Sequence, residues 1–146
     1  MYRPTETDKA YLAGLVDGEG SIIIRHNHGN GNIQGLSLVV QVAMANTLVL
    51  EWAKSLYGGQ VYTYRDKRND SWKPITHWHI SARQALSLLG DIYPYMRVKA
   101  NEACVAIDFQ ITKSLRKTRH LTDDEALKET AQREMLKSLK SEESYA

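Results

Sequence analysis

The spacing of apolar positions along the 146-residue chain changes several times, and each change marks an element. From Thr5 to Gly18 apolar residues recur at helical spacing, with Thr5 or Thr7 placed to cap the first turn. Ser21 to Arg25 contains three successive isoleucines, whose branched side chains favour a strand. The glycine and asparagine run from His26 to Asn32 predicts a turn and Ile33 to Ala43 a second strand, so the two strands make a hairpin. Asn46 is placed to cap a helix over Thr47 to Tyr57, in which Leu48, Trp52 and Leu56 share a face, and Gly58-Gly59 ends it. Gln60 to Arg65 alternates as a third strand, Asp66 to Pro74 is a charged loop, and Ile75 to Ser81 is a fourth strand. A short helix over Ala82 to Leu89 follows. Pro94 opens a longer helix with Val98, Ala103, Ile107 and Ile111 as its apolar positions. Thr122 and Glu125 have capping-box spacing at the start of a last helix, about 122–140, where Leu127, Ala131, Met135 and Leu139 make a narrow stripe for packing on the body. Ser141 to Ala146 reads as a frayed tail.

This order predicts an α+β domain of αββαββα type with a four-stranded antiparallel sheet packed on helices. One domain over residues 1–146 is expected, with its core at about 5–120 and the C-terminal helix appended. At 42% hydrophobic residues the chain can bury a core without disulfide staples. Its single cysteine, Cys104, lies in an apolar stretch and reads as a small buried hydrophobe. No apolar run approaches the roughly 20 residues of a membrane span. The first residues lack the apolar centre of a signal peptide, so an intracellular protein is expected, with no membrane partner. The net charge of +2 hides an asymmetry: residues 1–120 carry 15 Lys and Arg against 10 Asp and Glu, and residues 121–146 carry 4 against 7. The body is therefore the part suited to phosphate.

The densest chemical information lies in Leu12-Ala13-Gly14-Leu15-Val16-Asp17-Gly18-Glu19-Gly20. Ala10, Gly14 and Gly18 recur every four residues, so one helix stripe has almost no bulk and a second helix can approach closely. Asp17 and Glu19 fall at the helix C-terminus, where the macrodipole disfavours a carboxylate by a few tenths up to about 1 kcal/mol, and a divalent cation would relieve the conflict. The nine-residue run, followed by Ser21-Ile22-Ile23-Ile24, resembles the signature of the LAGLIDADG homing endonucleases. Tyr93-Pro94-Tyr95-Met96-Arg97-Val98-Lys99 resembles that family's proline, aromatic, spacer and lysine element. The resemblance extends from Tyr11 to about Thr112 and is nearest to the single-motif, homodimeric enzymes of group I introns.

The resemblance implies a magnesium-dependent endodeoxyribonuclease, with manganese as a substitute, that makes a double-strand break at a long pseudo-palindromic site. It implies Glu19 as the metal-binding acid, with the Gly18 carbonyl beside it, and Lys99 near the attacking water or phosphate. Asp17 would support the site. The polar residue that often ends the second strand is Met44 here, and a thioether orders water poorly, so Asn46 or a solvent network would have to substitute. Glu19 stands where Asp is commoner. A homodimer is expected through Leu12, Ala13, Gly14, Val16 and Gly18.

Double-stranded DNA would be read by the sheet. Ser21, Ile23, Arg25 and Asn27 share parity on the first strand, as do Gly35, Ser37, Val39 and Gln41 on the second. Arg25 and Gln41 suit guanine and adenine edges respectively. Asn30, Asn32 and Gln34 near the turn, Tyr62 and Tyr64 on the third strand, and Arg65, Lys67, Arg68 and Lys73 around the loop extend the set. Lys113, Arg116 and Lys117 form a basic cluster suited to the DNA backbone. His26, His28, His77 and His79 have no cysteine partners and read as DNA or surface residues rather than zinc ligands. Two other readings stay open: an RNA maturase that binds a structured intron, and a DNA-binding regulator that does not cleave.

Overall fold

A computed structural model describes residues 3–26, 35–116 and 121–143. The chain runs α1 (Glu6–Glu19), β1 (Gly20–His26), β2 (Leu36–Met44), α2 (Thr47–Tyr57), β3 (Gln60–Tyr64), β4 (Ile75–Ser81), α3 (Ala82–Ile92), a single 3-10 turn at Tyr93–Tyr95, α4 (Ala100–Leu115) and α5 (Asp123–Glu143). All strand pairs are antiparallel, in the order β1-β2-β4-β3. The αββαββα arrangement is as the sequence predicts. The hairpin turn falls within residues 27–34, outside the described residues.

One face of the sheet is apolar because every second residue is. Ile22, Ile24, Leu36, Leu38, Val40, Val42, Trp78 and Ile80 turn inward, against Leu12 and Val16 of α1, Leu88, Leu89 and Ile92 of α3, and Ala106 and Phe109 of α4. Among the described residues, Thr76 is the one buried strand hydroxyl on this face, satisfied by Thr47 at 2.8 Å and Thr63 at 3.0 Å.

Local caps follow the sequence closely. Thr5 and Asp8 form a reciprocal capping box at α1, Asn46 caps α2 by accepting from Val49 N–H at 3.1 Å, and Thr122 and Glu125 close the box at α5. Gly58 and Gly59 stop α2, both at positive φ. Trp78 donates its indole N–H to the Gly58 carbonyl at 2.9 Å, which ties this turn to the middle of β4.

The later helices depart from the expected faces. Pro94 opens only the 3-10 turn, and α4 starts at Ala100, because the backbone N–H groups of Arg97 and Lys99 are taken by the Asp17 side chain instead of by a helix. The face of α4 is consequently rotated: Ala103 is buried and Ile107 half-buried as expected, but Val98 and Ile111 are exposed, and Ala106, Phe109, Gln110 and Glu102 point in. Cys104 is exposed rather than buried. On α2, Leu50 and Ala53 are the buried pair and Leu48 is 81% exposed. On α5 the expected stripe fails, with Leu127 and Met135 exposed, because that helix docks mainly through polar groups. Leu136 is buried, Glu129 meets Arg116, Gln132 donates to Asp108, and the Arg133 guanidinium donates to the Ile24 carbonyl of β1.

A β-carbon at Gly59 would stand 2.4 Å from the His79 carbonyl, at a φ of +87° that L residues rarely adopt. Gly59→Ala should therefore destabilise the protein by about 1 to 3 kcal/mol, read as a lower denaturant midpoint with an unchanged m-value.

Candidate functional site

The helix α1 passes into β1 without a loop. That junction depends on Gly20, where a β-carbon would lie 2.8 Å from the Val16 carbonyl oxygen. The Gly20 N–H donates to that same carbonyl and closes the helix. Glu19, the last residue before the strand, is exposed.

The other acid of this turn faces the protein. The Asp17 carboxylate accepts the backbone N–H groups of Arg97 at 2.8 Å and Lys99 at 3.0 Å, and the Lys99 ammonium donates to the Asp17 carbonyl at 2.5 Å. A cation on a terminal helix carbonyl is the arrangement the macrodipole favours. At the opposite end of α1, the Tyr95 hydroxyl donates to Glu6, which lowers the Glu6 pKa, with Lys9 contributing further. The segment from Tyr93 to Lys99 is thus strapped to α1 at both ends, and Lys99 is half-buried at the helix terminus rather than a solvated helix lysine.

Two residues apart on a helix means about 200° around its axis, so Asp17 and Glu19 point to different sides. Among the described residues, no three Asp, Glu, His or Cys side chains gather where one metal ion could sit. The donors that remain at the tip, the Glu19 carboxylate and the Gly18 carbonyl, are hard oxygens of the kind magnesium and calcium prefer. Two such oxygens alone do not complete the coordination of either ion. Met44 does not contribute: it shares the inward parity of Val40 and Val42 and packs against the core. Asn46 uses its side-chain oxygen to cap α2, which leaves only its amide N–H groups to order a water.

The expected dimer contact needs correction. Leu12, Ala13 and Val16 are wholly buried inside this chain, because α1 turns them to the sheet and α3. The small and apolar residues that α1 leaves on the surface are Ala10, Tyr11, Gly14 and Gly18, and a β-carbon added at Gly14 or Gly18 would meet nothing within 4 Å. Beside this bare stripe an apolar cleft of about 440 Å3 lies between α1 and α2, lined by Tyr11, Leu48, Val49 and Trp52, with Tyr11 edge-on to Trp52 at 5.5 Å.

The second face of the sheet collects Ser21, Ile23 and Arg25 from β1, Ser37 and Gln41 from β2, and Tyr62 and Tyr64 from β3, as their parity predicts. It also brings in Gln60, which the sequence did not single out, and His77 and His79, which it marks as DNA or surface residues without placing them on this face. The alternation of Thr76, Trp78 and Ile80 inward already required the two histidines to point outward. In the loop, Arg65 donates to the Asp70 carbonyl, Arg68 pairs with Asp66 and lies over Trp72, and Lys67 and Lys73 are exposed. Asn27, Asn30, Asn32, Gln34 and Lys117 lie outside the described residues. Lys113 and Arg116 do not form a free basic cluster. Both pair with Glu129, at 3.6 and 3.0 Å, and their side chains are only 24% and 16% exposed, so they pin α5 to α4.

No protein-family model matches the chain, and no curated protein matches it. Solved structures do. The homing endonuclease I-CvuI in complex with its target superposes with a TM-score of 0.71 at 20% identity, over 92% of this chain and 82% of that one. The homing endonuclease I-TnaI gives 0.63 at 16% identity, over 92% and 97%. The I-SmaMI LAGLIDADG homing endonuclease bound to cleaved DNA gives 0.62 at 20% identity, over 86% of this chain but 42% of that one. The chain has the LAGLIDADG homing endonuclease fold.

The two acids at the end of α1 should separate in a stability measurement. Asp17→Ala removes the acceptor of two backbone N–H groups and should cost about 1 to 3 kcal/mol. Glu19→Gln removes an exposed charge from the negative end of the helix dipole and should leave stability unchanged or raise it by up to about 1 kcal/mol. Paired urea denaturation curves check this.

Proposed function

We propose that the protein is a site-specific DNA endonuclease that works as a homodimer and makes a double-strand break in a long, pseudo-palindromic duplex. The observation that carries this reading is the exposed Glu19 at the end of a helix whose outer stripe is bare. A structural acid would not be expected exposed at the negative end of a macrodipole, and a bare stripe beside an apolar cleft suits a second helix. That the chain spans 42% of I-SmaMI is in keeping with two copies doing what one longer chain does.

Pairing α1 with its twin about a two-fold axis would bring both Glu19 residues to the centre and set the two sheets side by side, one per half-site. Glu19 and the Gly18 carbonyl would hold a magnesium ion, or manganese in its place, which when bound stabilises charge on the phosphate and lowers the pKa of a coordinated water. Asp17 positions the 97–99 segment, and Lys99, anchored on the helix terminus, brings a positive charge to the same place. Arg25, Gln41 and their neighbours on the outer face would meet base edges in the major groove, while the loop residues Arg65, Lys67 and Lys73 meet phosphates.

Met44 favours a second reading, in which the fold binds DNA, or structured intron RNA as a maturase, without cutting. Its packed thioether leaves the end of β2 with no side chain suited to ordering an attacking water.

Cleavage selection on a randomised duplex library with magnesium distinguishes the readings. Wild-type protein should yield a pseudo-palindromic consensus of cut sites, and Glu19→Gln should lose cleavage by orders of magnitude while retaining binding. Binding without cleavage by the wild type would establish the second reading. Light scattering should give twice the chain mass. Gly14→Leu should abolish the dimer while raising monomer stability by up to about 1 kcal/mol, because its side chain meets nothing in the monomer and Leu is the better helix former.

A further inference from the structure

A row of hydrogen-bonding side chains crosses three strands on the outer face of the sheet, with a histidine at its centre. The register sets Gln41 of β2 and Gln60 of β3 directly opposite His79 of β4. An imidazole therefore stands between two amides, each about 5 Å away across the sheet. The ring is held in place. Its Nε2 lies 3.1 Å from the Tyr62 hydroxyl, and Tyr62 in turn stacks on His77 with ring centroids 5.2 Å apart and planes 8° from parallel. His77 meets His79 edge-on at 6.2 Å. Beside this cluster a polar recess of about 300 Å3 is walled by Arg25, Gln60, His79, Ser81 and Gln84.

We infer that His79 is a specificity-determining residue that reads one base pair in each half-site, flanked by Gln41 and Gln60. The inference rests on the DNA-binding reading above. A phosphate-binding role is the poorer fit: β4 is an interior strand, and the exposed charges suited to the backbone lie in the loop at the rim. With Nε2 engaged by Tyr62, Nδ1 is the atom turned to a base edge. A neutral imidazole offers a single donor or a single acceptor there: as a donor it bonds guanine, thymine or the N7 of adenine and rejects cytosine, and as an acceptor it selects the amino groups of adenine and cytosine.

The charged and titratable groups facing His79 are Arg25 from β1, His77 on its own strand and Tyr62 from β3. Burial first, then His77 and Arg25, hold the His79 pKa below the ordinary histidine value, so the ring is neutral at pH 7. Phosphate charge pulls that pKa back up, and by linkage a ligand that raises a pKa binds more tightly as pH falls. Protonation makes both ring nitrogens donors and adds a charge that every duplex rewards alike. Acid should therefore strengthen background binding and weaken discrimination.

The test is a binding profile over duplexes that carry every single-base substitution of the selected site, for wild type, His79→Ala and Tyr62→Phe, at pH about 8 and about 5.5. His79→Ala should relax preference about tenfold at one pair per half-site and leave other positions unchanged. Tyr62→Phe keeps the stacked ring and loses only the hydroxyl, and it should blunt discrimination at the same pair. Wild-type discrimination there should fall several-fold in acid, and His79→Ala should lack that dependence. A uniform loss of affinity in His79→Ala, or an unchanged profile, overturns the inference and leaves DNA recognition standing. A wild type that prefers no duplex over any other overturns both.

Discussion

The Asp17 carboxylate holds two backbone N–H groups from a segment more than 75 residues further along the chain, and much of the site's geometry depends on that contact. It fixes where α4 begins and so the phase of its buried face. It also brings Lys99 onto the last turn of α1 and leaves Glu19 as the acid facing solvent. Similar residues two positions apart thus divide their work, because a helix turns them to different sides. One stabilises the fold through two backbone hydrogen bonds, and the other lies exposed at the negative end of the helix dipole, where it costs stability.

A second constraint acts from below. Gly20 allows the chain to turn from helix into strand against the Val16 carbonyl with no intervening loop. The end of α1 is thereby rigidly coupled to β1, the strand that carries Arg25. Under the proposed function, the reacting group and the recognition surface would share one continuous backbone, which suits chemistry required at a set distance from a recognised sequence.

Much of this was legible in the chain. The period-two strands, the Thr5, Asn46 and Thr122 caps and the Gly58-Gly59 stop are local devices, and the elements they delimit stand as expected. What the sequence concealed was tertiary. The start of α4 is decided by a carboxylate in α1, so Pro94 misled. The docking of α5 uses Arg116, Glu129, Gln132 and Arg133 in place of an apolar stripe, which made Lys113 and Arg116 read as free cations. Leu12, Ala13 and Val16 look alike in a motif whether they face a twin helix or their own sheet. For the outer face, parity was enough to find Arg25 and Gln41. The same alternation through Trp78 puts His77 and His79, which composition alone marks only as DNA or surface residues, on that face.

The Arg133 contact on the Ile24 carbonyl has a bearing beyond packing. β1 is an outer strand, and an outer strand presents unpaired backbone groups that invite a neighbour's strand to add itself. By laying α5 along that edge and occupying one of its carbonyls with a guanidinium, the chain blocks sheet-to-sheet growth on that side. The opposite edge, β3, is only five residues long and offers little ladder to extend. Open-ended self-association through the sheet edges is thereby disfavoured, which leaves the helical face free for the closed pairing proposed above.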